Sequence, residues 1–220
     1  VAPMIAQTLG VKESGSGPIL DALTDHFAGK KMLLVLDNFE QVTAAAPDIG
    51  KVILTSPNLT ILVTSRELLR LRAEHEFAVS PLALPSDDER LSVAALSGYE
   101  SIRFFVERAR DVKPDFALTE ANAPDVAAIC RSLDGLPFAI ELAAARIKLF
   151  EPQTILSRLS SSLKFLTGGA KDLPERRQTM RGAIAWSYDL LNADEKQLLD
   201  CLSVFAGGFT IESVEAVGAD

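Results

Sequence analysis

Cysteine and histidine are both scarce in this chain. The two cysteines, Cys130 and Cys201, cannot make a disulfide scaffold and have no zinc-ligand spacing. His26 and His75 stand far apart with no cysteine or carboxylate set beside them, so each reads as a surface or capping residue. No Gly-x-Ser-x-Gly, His-Glu-x-x-His or Gly-x-x-x-x-Gly-Lys-Ser/Thr occurs. An excess of basic charge is also missing. Lysine and arginine number 22 against 30 acidic residues, and no segment is basic. A nucleic-acid surface within these residues is therefore not expected. Long hydrophobic runs are lacking too. The richest, Leu136 to Ala145, is broken by Glu141 and falls short of the ~20 residues of a spanning helix. The chain opens at Val1 with no Met, no basic leader and no signal-cleavage pattern. We read it as a piece cut from a longer cytoplasmic protein.

What is present is apolar material. Hydrophobic residues are 48% of the 220 and the mean hydropathy is +0.18, enough to bury a large core and to exclude global disorder. Ile5 and Leu9 share one helical face, and Ile19, Leu23 and Phe27 share another that ends at Gly29. Ser14-Gly15-Ser16-Gly17-Pro18 breaks the two apart. Met32 to Leu36 is a short apolar run closed by Asp37, as expected of a strand buried on both faces in a parallel sheet. Ile61-Leu62-Val63-Thr64-Ser65-Arg66 repeats the design. Val42 to Leu54 has room for one crossover helix, which makes a βαβ unit. Phe77-Ala78-Val79 reads as a third strand.

From Ser97 the pattern is helical. Ile102, Phe105, Val106 and Ala109 form one stripe, and Val126, Ile129, Cys130 and Leu133 another that stops at Gly135. Pro137 suits the first turn of the next helix, and Pro152 opens one carrying Ile155, Leu156, Leu159 and Leu163. Residues 167–177, with Gly168-Gly169 and Pro174, read as a linker and candidate hinge. Met180, Ile184, Ser187 and Leu191 line a further face. Asn192 and Glu195 fit a capping box, and Thr210 fits the cap of a last helix. Trp186, Tyr188 and Cys201 are assigned to the core. The order helix, glycine turn, helix resembles the start of a helix-turn-helix or winged-helix unit.

Few residues could carry chemistry. Asp37 ends a parallel strand, where α/β folds bind ligands, and its carboxylate could help retain Mg²⁺. It could equally cap the helix that follows. Asn38 can hydrogen-bond a water but cannot take its proton. Glu40 could orient water, or simply favour a helix N-terminus. Thr64, Ser65 and Arg66 end the second strand, and Arg matches phosphate oxygens in charge and shape. Alternatively, Arg66 is a surface cation at a helix start, paired with Glu67 or Glu74. Gly135-Leu136-Pro137 makes a rigid elbow between helices.

Leu33 to Glu40 resembles the Walker-B strand of the NB-ARC-like STAND class of signal-transduction P-loop ATPases, and Ile61 to Glu67 resembles its sensor-1 strand. Gly135 to Ala144 resembles its GLPLA motif. Trp186 to Leu191 and Leu202 to Phe209 resemble the winged-helix segment of bacterial members. Those members are often transcriptional regulators with a separate LuxR-type DNA-binding domain. The resemblance implies an α/β parallel-sheet P-loop NTPase remnant (1–85), an all-α helical domain (86–166) and the start of a winged-helix domain (167–220). It implies an ATP/ADP-dependent switch, at most a slow ATPase because Asn38 replaces a second acid. Asp37 would hold Mg²⁺, with Glu40 beside it as the other catalytic candidate. Thr64 and Arg66 would read the γ-phosphate, and Gly135 and Pro137 would lie by the adenine. The phosphate loop would precede Val1, so Mg-ATP or ADP is expected in the intact protein and no cofactor in these residues alone. Expected partners are the parent's other domains and a homo-oligomer on activation. DNA would be met only through a separate domain, with no membrane contact. The alternative is a protein-interaction module that uses the same fold without nucleotide.

Overall fold

A computed structural model describes residues 1–11, 18–86, 92–159, 165–167, 178–205 and 208–217. The Ser14–Gly17 break, Leu163, Gly168-Gly169 and Pro174 lie outside the described residues, as does the side chain of Trp186. The chain divides into two compact units, Val1–Ala78 and Val79–Asp220.

The first unit is α/β. Helices α1 (Ala2–Leu9) and α2 (Ile19–Phe27) precede strand β1 (Met32–Leu36). Two short 3₁₀ turns lead into α3 (Ala46–Thr55), and strand β2 (Leu59–Val63) follows. The strands pair in parallel, Met32 opposite Leu59 through Leu36 opposite Val63. The expected βαβ unit is therefore present, with α3 as its crossover. One face of the sheet packs with Ile5, Leu23, Phe27, Phe39, Ile49 and Val52 in a single core.

The other face differs from the expectation. Leu33, Val35 and Leu62 alternate outward and are 61%, 54% and 55% exposed, so the strands are buried on one face and not two. An all-apolar strand expresses a demand for cover on both sides, but the helices described here supply cover to one side. Phe77 and Val79 are not in a strand and are almost fully exposed. They pair with no strand among the described residues, and the proline-bearing segment that follows stays irregular.

The second unit is helical among its described residues. Its elements are a single turn α4 (Val93–Leu96), α5 (Glu100–Val112), α6 (Ala123–Ser132), α7 (Pro137–Ala144) and α8 (Pro152–Leu159). The predicted stripes form the core. Ile102, Phe105, Ala109, Val126, Ile129, Cys130, Ile140, Leu142 and Ile155 are all essentially inaccessible. Residues spaced three and four apart meet on one face, so each helix brings its stripe to the same interior. Pro137 and Pro152 occupy first helical turns, where a missing N–H costs nothing.

Helices α9 (Met180–Asp189), α10 (Ala193–Leu202) and α11 (Ile211–Val217) complete the described chain. The capping box forms: the Glu195 N–H donates to Asn192 Oδ1 at 3.0 Å and the Asn192 N–H to Glu195 Oε2 at 2.8 Å. The Thr210 hydroxyl accepts from the Ser213 N–H at 3.3 Å, as a cap should. Core assignments for this stretch need correction. Tyr188 is half-buried, its hydroxyl near Asp200, and Cys201 is half-buried on a helix with no buried residue. Ile184, Leu198, Leu199 and Ile211 are exposed, so these faces meet no core among the described residues.

Candidate functional site at the strand ends

Equal strand length and a zero-offset register bring two polar residues together. Because Leu36 sits opposite Val63, the residues that leave the sheet next are Asp37 and Thr64. The Thr64 N–H donates to the Leu36 carbonyl at 3.0 Å, extending the ladder one step past the strands. The Thr64 hydroxyl then donates to Asp37 Oδ1 at 2.5 Å and accepts the Asn38 N–H at 2.9 Å. Asn38 Nδ2 donates to Asp37 Oδ2 at 2.7 Å, and the Phe39 N–H reaches the Thr64 carbonyl at 2.9 Å. Asn38 adopts a left-handed conformation (φ 63°), which Asn tolerates better than most residues. That turn drops Phe39 into the core, 2% exposed, and anchors the whole cluster.

The cluster is a closed set. Each Asp37 oxygen receives one neutral donor, leaving lone pairs on both. Asp37 therefore does not cap the helix that follows; its carboxylate bridges two strand ends. The site is open, with Asp37 and Thr64 both exposed. Among the described residues no three histidine, cysteine or acidic side chains converge to hold a metal. Asp37 offers a single carboxylate, which suits Mg²⁺ that keeps most of its waters and takes other oxygens from a bound phosphate.

Glu40 lies in the 3₁₀ turn after Asn38, its side chain 9% exposed. Its Oε1 stands 3.9 Å from Arg66 Nε, a loose ion pair that joins the two strand-end loops. The alternative partners behave differently. Glu74 accepts the N–H groups of Leu69 and Leu71 at 2.9 and 3.0 Å, tying off its own loop. Arg66 lies in an irregular bend and not at a helix start. Asp37, Asn38, Glu40, Thr64 and Arg66 thus share one end of the sheet. The Asp37–Thr64 bond was not foreseen, although equal strand lengths with a polar residue after each are a readable signal for it.

Gly135 and Pro137 belong to the second unit. Asp134 and Gly135 are both left-handed, with φ 52° and 67°. The Gly135 N–H closes α6 on the Cys130 carbonyl at 3.2 Å, and its own carbonyl accepts the Leu82 N–H at 3.0 Å. A Cβ placed on Gly135 would lie 2.3 Å from the Leu82 carbonyl oxygen. The glycine is thus required by backbone-to-backbone packing, whatever else the elbow does. Next to it, burial pushes the Cys130 thiol up to about 12, while its hydrogen bond to Ser101 and the Arg131 charge pull slightly the other way. This thiol is a core group and not a nucleophile.

No family model matches the chain, and no solved structure matches it. Its whole length is 37% identical over 221 residues to an uncharacterized protein of Mycobacterium tuberculosis, and equally to one of Mycobacterium bovis. It is 34% identical over 220 residues to a Mycobacterium tuberculosis protein named "Putative HTH-type transcriptional regulator". The chain spans 53% of the first relatives' length and 24% of the last.

Proposed function

We propose that these residues are the switch module of a bacterial transcriptional regulator, responsive to Mg-ATP and Mg-ADP and working in the cytoplasm. The observation that carries the reading is the Asp37–Thr64 pair, a carboxylate and a hydroxyl hydrogen-bonded across neighbouring parallel strand ends beside Arg66. Ligands of open α/β sheets bind outside the carboxyl ends of the strands. A carboxylate there can order the water shell of Mg²⁺, and a guanidinium can meet a phosphate. Similarity along the whole chain to a protein named as a transcriptional regulator supports the regulatory half of the proposal. The NB-ARC-like STAND assignment, the winged-helix start and a separate LuxR-type DNA-binding domain belong to the same proposal.

The site as it stands lacks a cradle of backbone N–H groups and a lysine for the phosphates, since no Gly-x-x-x-x-Gly-Lys-Ser/Thr occurs in the sequence. The proposal requires a phosphate-binding loop that these 220 residues do not contain. Slow hydrolysis follows from Asn38, which hydrogen-bonds Asp37 and has no basic site for a proton. Isothermal titration separates the cases. The 220-residue chain should give no heat of binding with Mg-ADP or Mg-ATP, and the parent should bind at least one. A parent that binds neither at millimolar nucleotide, while regulating transcription normally, overturns the proposal in favour of a nucleotide-independent interaction module.

A further inference from the structure

A groove of about 640 Å³ runs along α5 in the second unit. Its floor is apolar: Ile102 and Val106 of α5, Val93 of α4, and Leu118 of the loop that follows α5. That volume lies within the range of small-molecule sites, about 300–1,000 Å³. The far wall is held in place before any ligand arrives. Arg110 Nε donates to the Phe116 carbonyl at 3.1 Å, and the Phe116 ring is buried edge-on against Phe105. Asn122 ties the loop twice more, accepting the Thr119 N–H at 2.8 Å and donating to the Ala117 carbonyl at 3.0 Å. The Val93 N–H donates to Glu120 at 3.4 Å, fixing α4 to the same loop.

The charge along the rim is unequal in effect. Glu107 and Asp111 also line the groove, but both are taken by Arg108, at 2.8 and 3.0 Å. Arg103 has no acidic partner among the described residues, and Arg110 uses Nε on a carbonyl and has no ion pair there. These two arginines are seven residues apart on one helix, about 10.5 Å along its axis. Available positive charge therefore stands over an apolar floor.

We propose that this groove binds a small organic acid with an apolar body, its carboxylate held by Arg103 and its body on Ile102, Val106 and Leu118. Arginine recognises carboxylates through parallel N–H donors, and the floor supplies contact area that a simple inorganic anion would not use. The site is independent of the nucleotide reading and lies within the helical unit.

The probe is decanoate, titrated into the isotope-labelled 220-residue chain and followed by amide chemical shifts. Decan-1-ol is the neutral control and a short polyglutamate peptide the polypeptide control. Shifts should centre on residues 102–111 and 117–118. Arg103→Gln, which removes an exposed side chain with no acidic partner among the described residues, should weaken decanoate by about threefold to fivefold. Val106→Asp, at the half-buried edge of α5's core stripe, should abolish it, with circular dichroism showing the fold retained for each variant. Decan-1-ol binding as tightly as decanoate, shifts centred elsewhere, or an unchanged Arg103→Gln titration overturns the proposal. Preference for polyglutamate in the same groove overturns it as well, because the ligand would then be a polypeptide.

Discussion

Replacing Gly135 with alanine separates two costs that a glycine can hide. The first is conformational. A side chain at φ 67° is strained by about 1–2 kcal/mol. Gly29 isolates this cost, since it has φ 71° and nothing within 4 Å of a built Cβ. The second cost is steric and belongs to Gly135 alone. Its new methyl would sit 2.3 Å from the Leu82 carbonyl oxygen and 3.3 Å from the Leu82 nitrogen. No rotamer relieves a clash with backbone, so the strand of chain at Leu82 must move. Movement breaks the 3.0 Å bond from Leu82 to Gly135 and loosens the Ala83 carbonyl, which accepts from the buried Ser101 hydroxyl at 2.7 Å. Each lost bond is worth about 1 kcal/mol. The sum for Gly135→Ala is about 3–4 kcal/mol, against about 1–2 kcal/mol for Gly29→Ala. Native-state hydrogen exchange reads each unit separately, through the core amides of α5–α7 for Gly135 and of β1 and α2 for Gly29. Equal losses in the two variants would refute the reasoning, because the Leu82 contact would then be compliant.

Four further outcomes follow from the packing and charge. In native protein a thiol reagent at pH 8 should label Cys201 and spare Cys130, and both should react in denaturant. The raised Cys130 pKa also sets a sign. The protonated core thiol contributes stability in full below its ordinary value of 9.0, and that stability is lost as pH rises toward about 12, so urea midpoints of the helical unit should fall across that window and Cys130→Ala should flatten the fall. Asn192→Ala should weaken protection of the first-turn amides of α10 by about 1 kcal/mol, while Asn192→Ser preserves it; an unchanged exchange rate would show that the capping box adds nothing. A gel shift with duplex DNA should show no salt-dependent retention at sub-micromolar protein, because residues 166–220 carry 5 basic and 9 acidic residues.

The elements that could be read from the sequence are those with a complete local pattern. The stripes of α5 and α6, the prolines that open α7 and α8, and the Asn192–Glu195 box each carry their whole signal within a few residues. The βαβ unit was legible for the same reason, from two apolar runs closed by polar residues. What could not be read depends on partners distant in sequence. Leu33, Val35 and Leu62 promise a covered face, but no element of the described unit lies on it. Phe77-Ala78-Val79 has strand composition and no ladder beside it. At the candidate site, Asp37, Glu40, Thr64 and Arg66 were each singled out, yet the bond from Thr64 to Asp37 needs the register to be known. Arg66 illustrates the limit well: Glu67 and Glu74 are near in sequence, and Glu40, which it meets, is on the other strand's loop. The need for Gly135 could be stated as a left-handed cap, but the Leu82 carbonyl that makes it obligatory lies more than fifty residues earlier.

The central claim is that the two strand ends hold a hydrated Mg²⁺ beside a nucleotide, and one titration tests it directly. Mg-ADP is titrated by calorimetry into the intact parent protein, as wild type and as Asp37→Ala, with magnesium and then with excess chelator. Removing a carboxylate that orders a metal's water shell should weaken Mg-ADP by about 10–100-fold, and the chelator should remove the difference between the two proteins. Equal Mg-ADP affinities for wild type and Asp37→Ala would contradict the claim and leave Asp37 as a bridge between two strands.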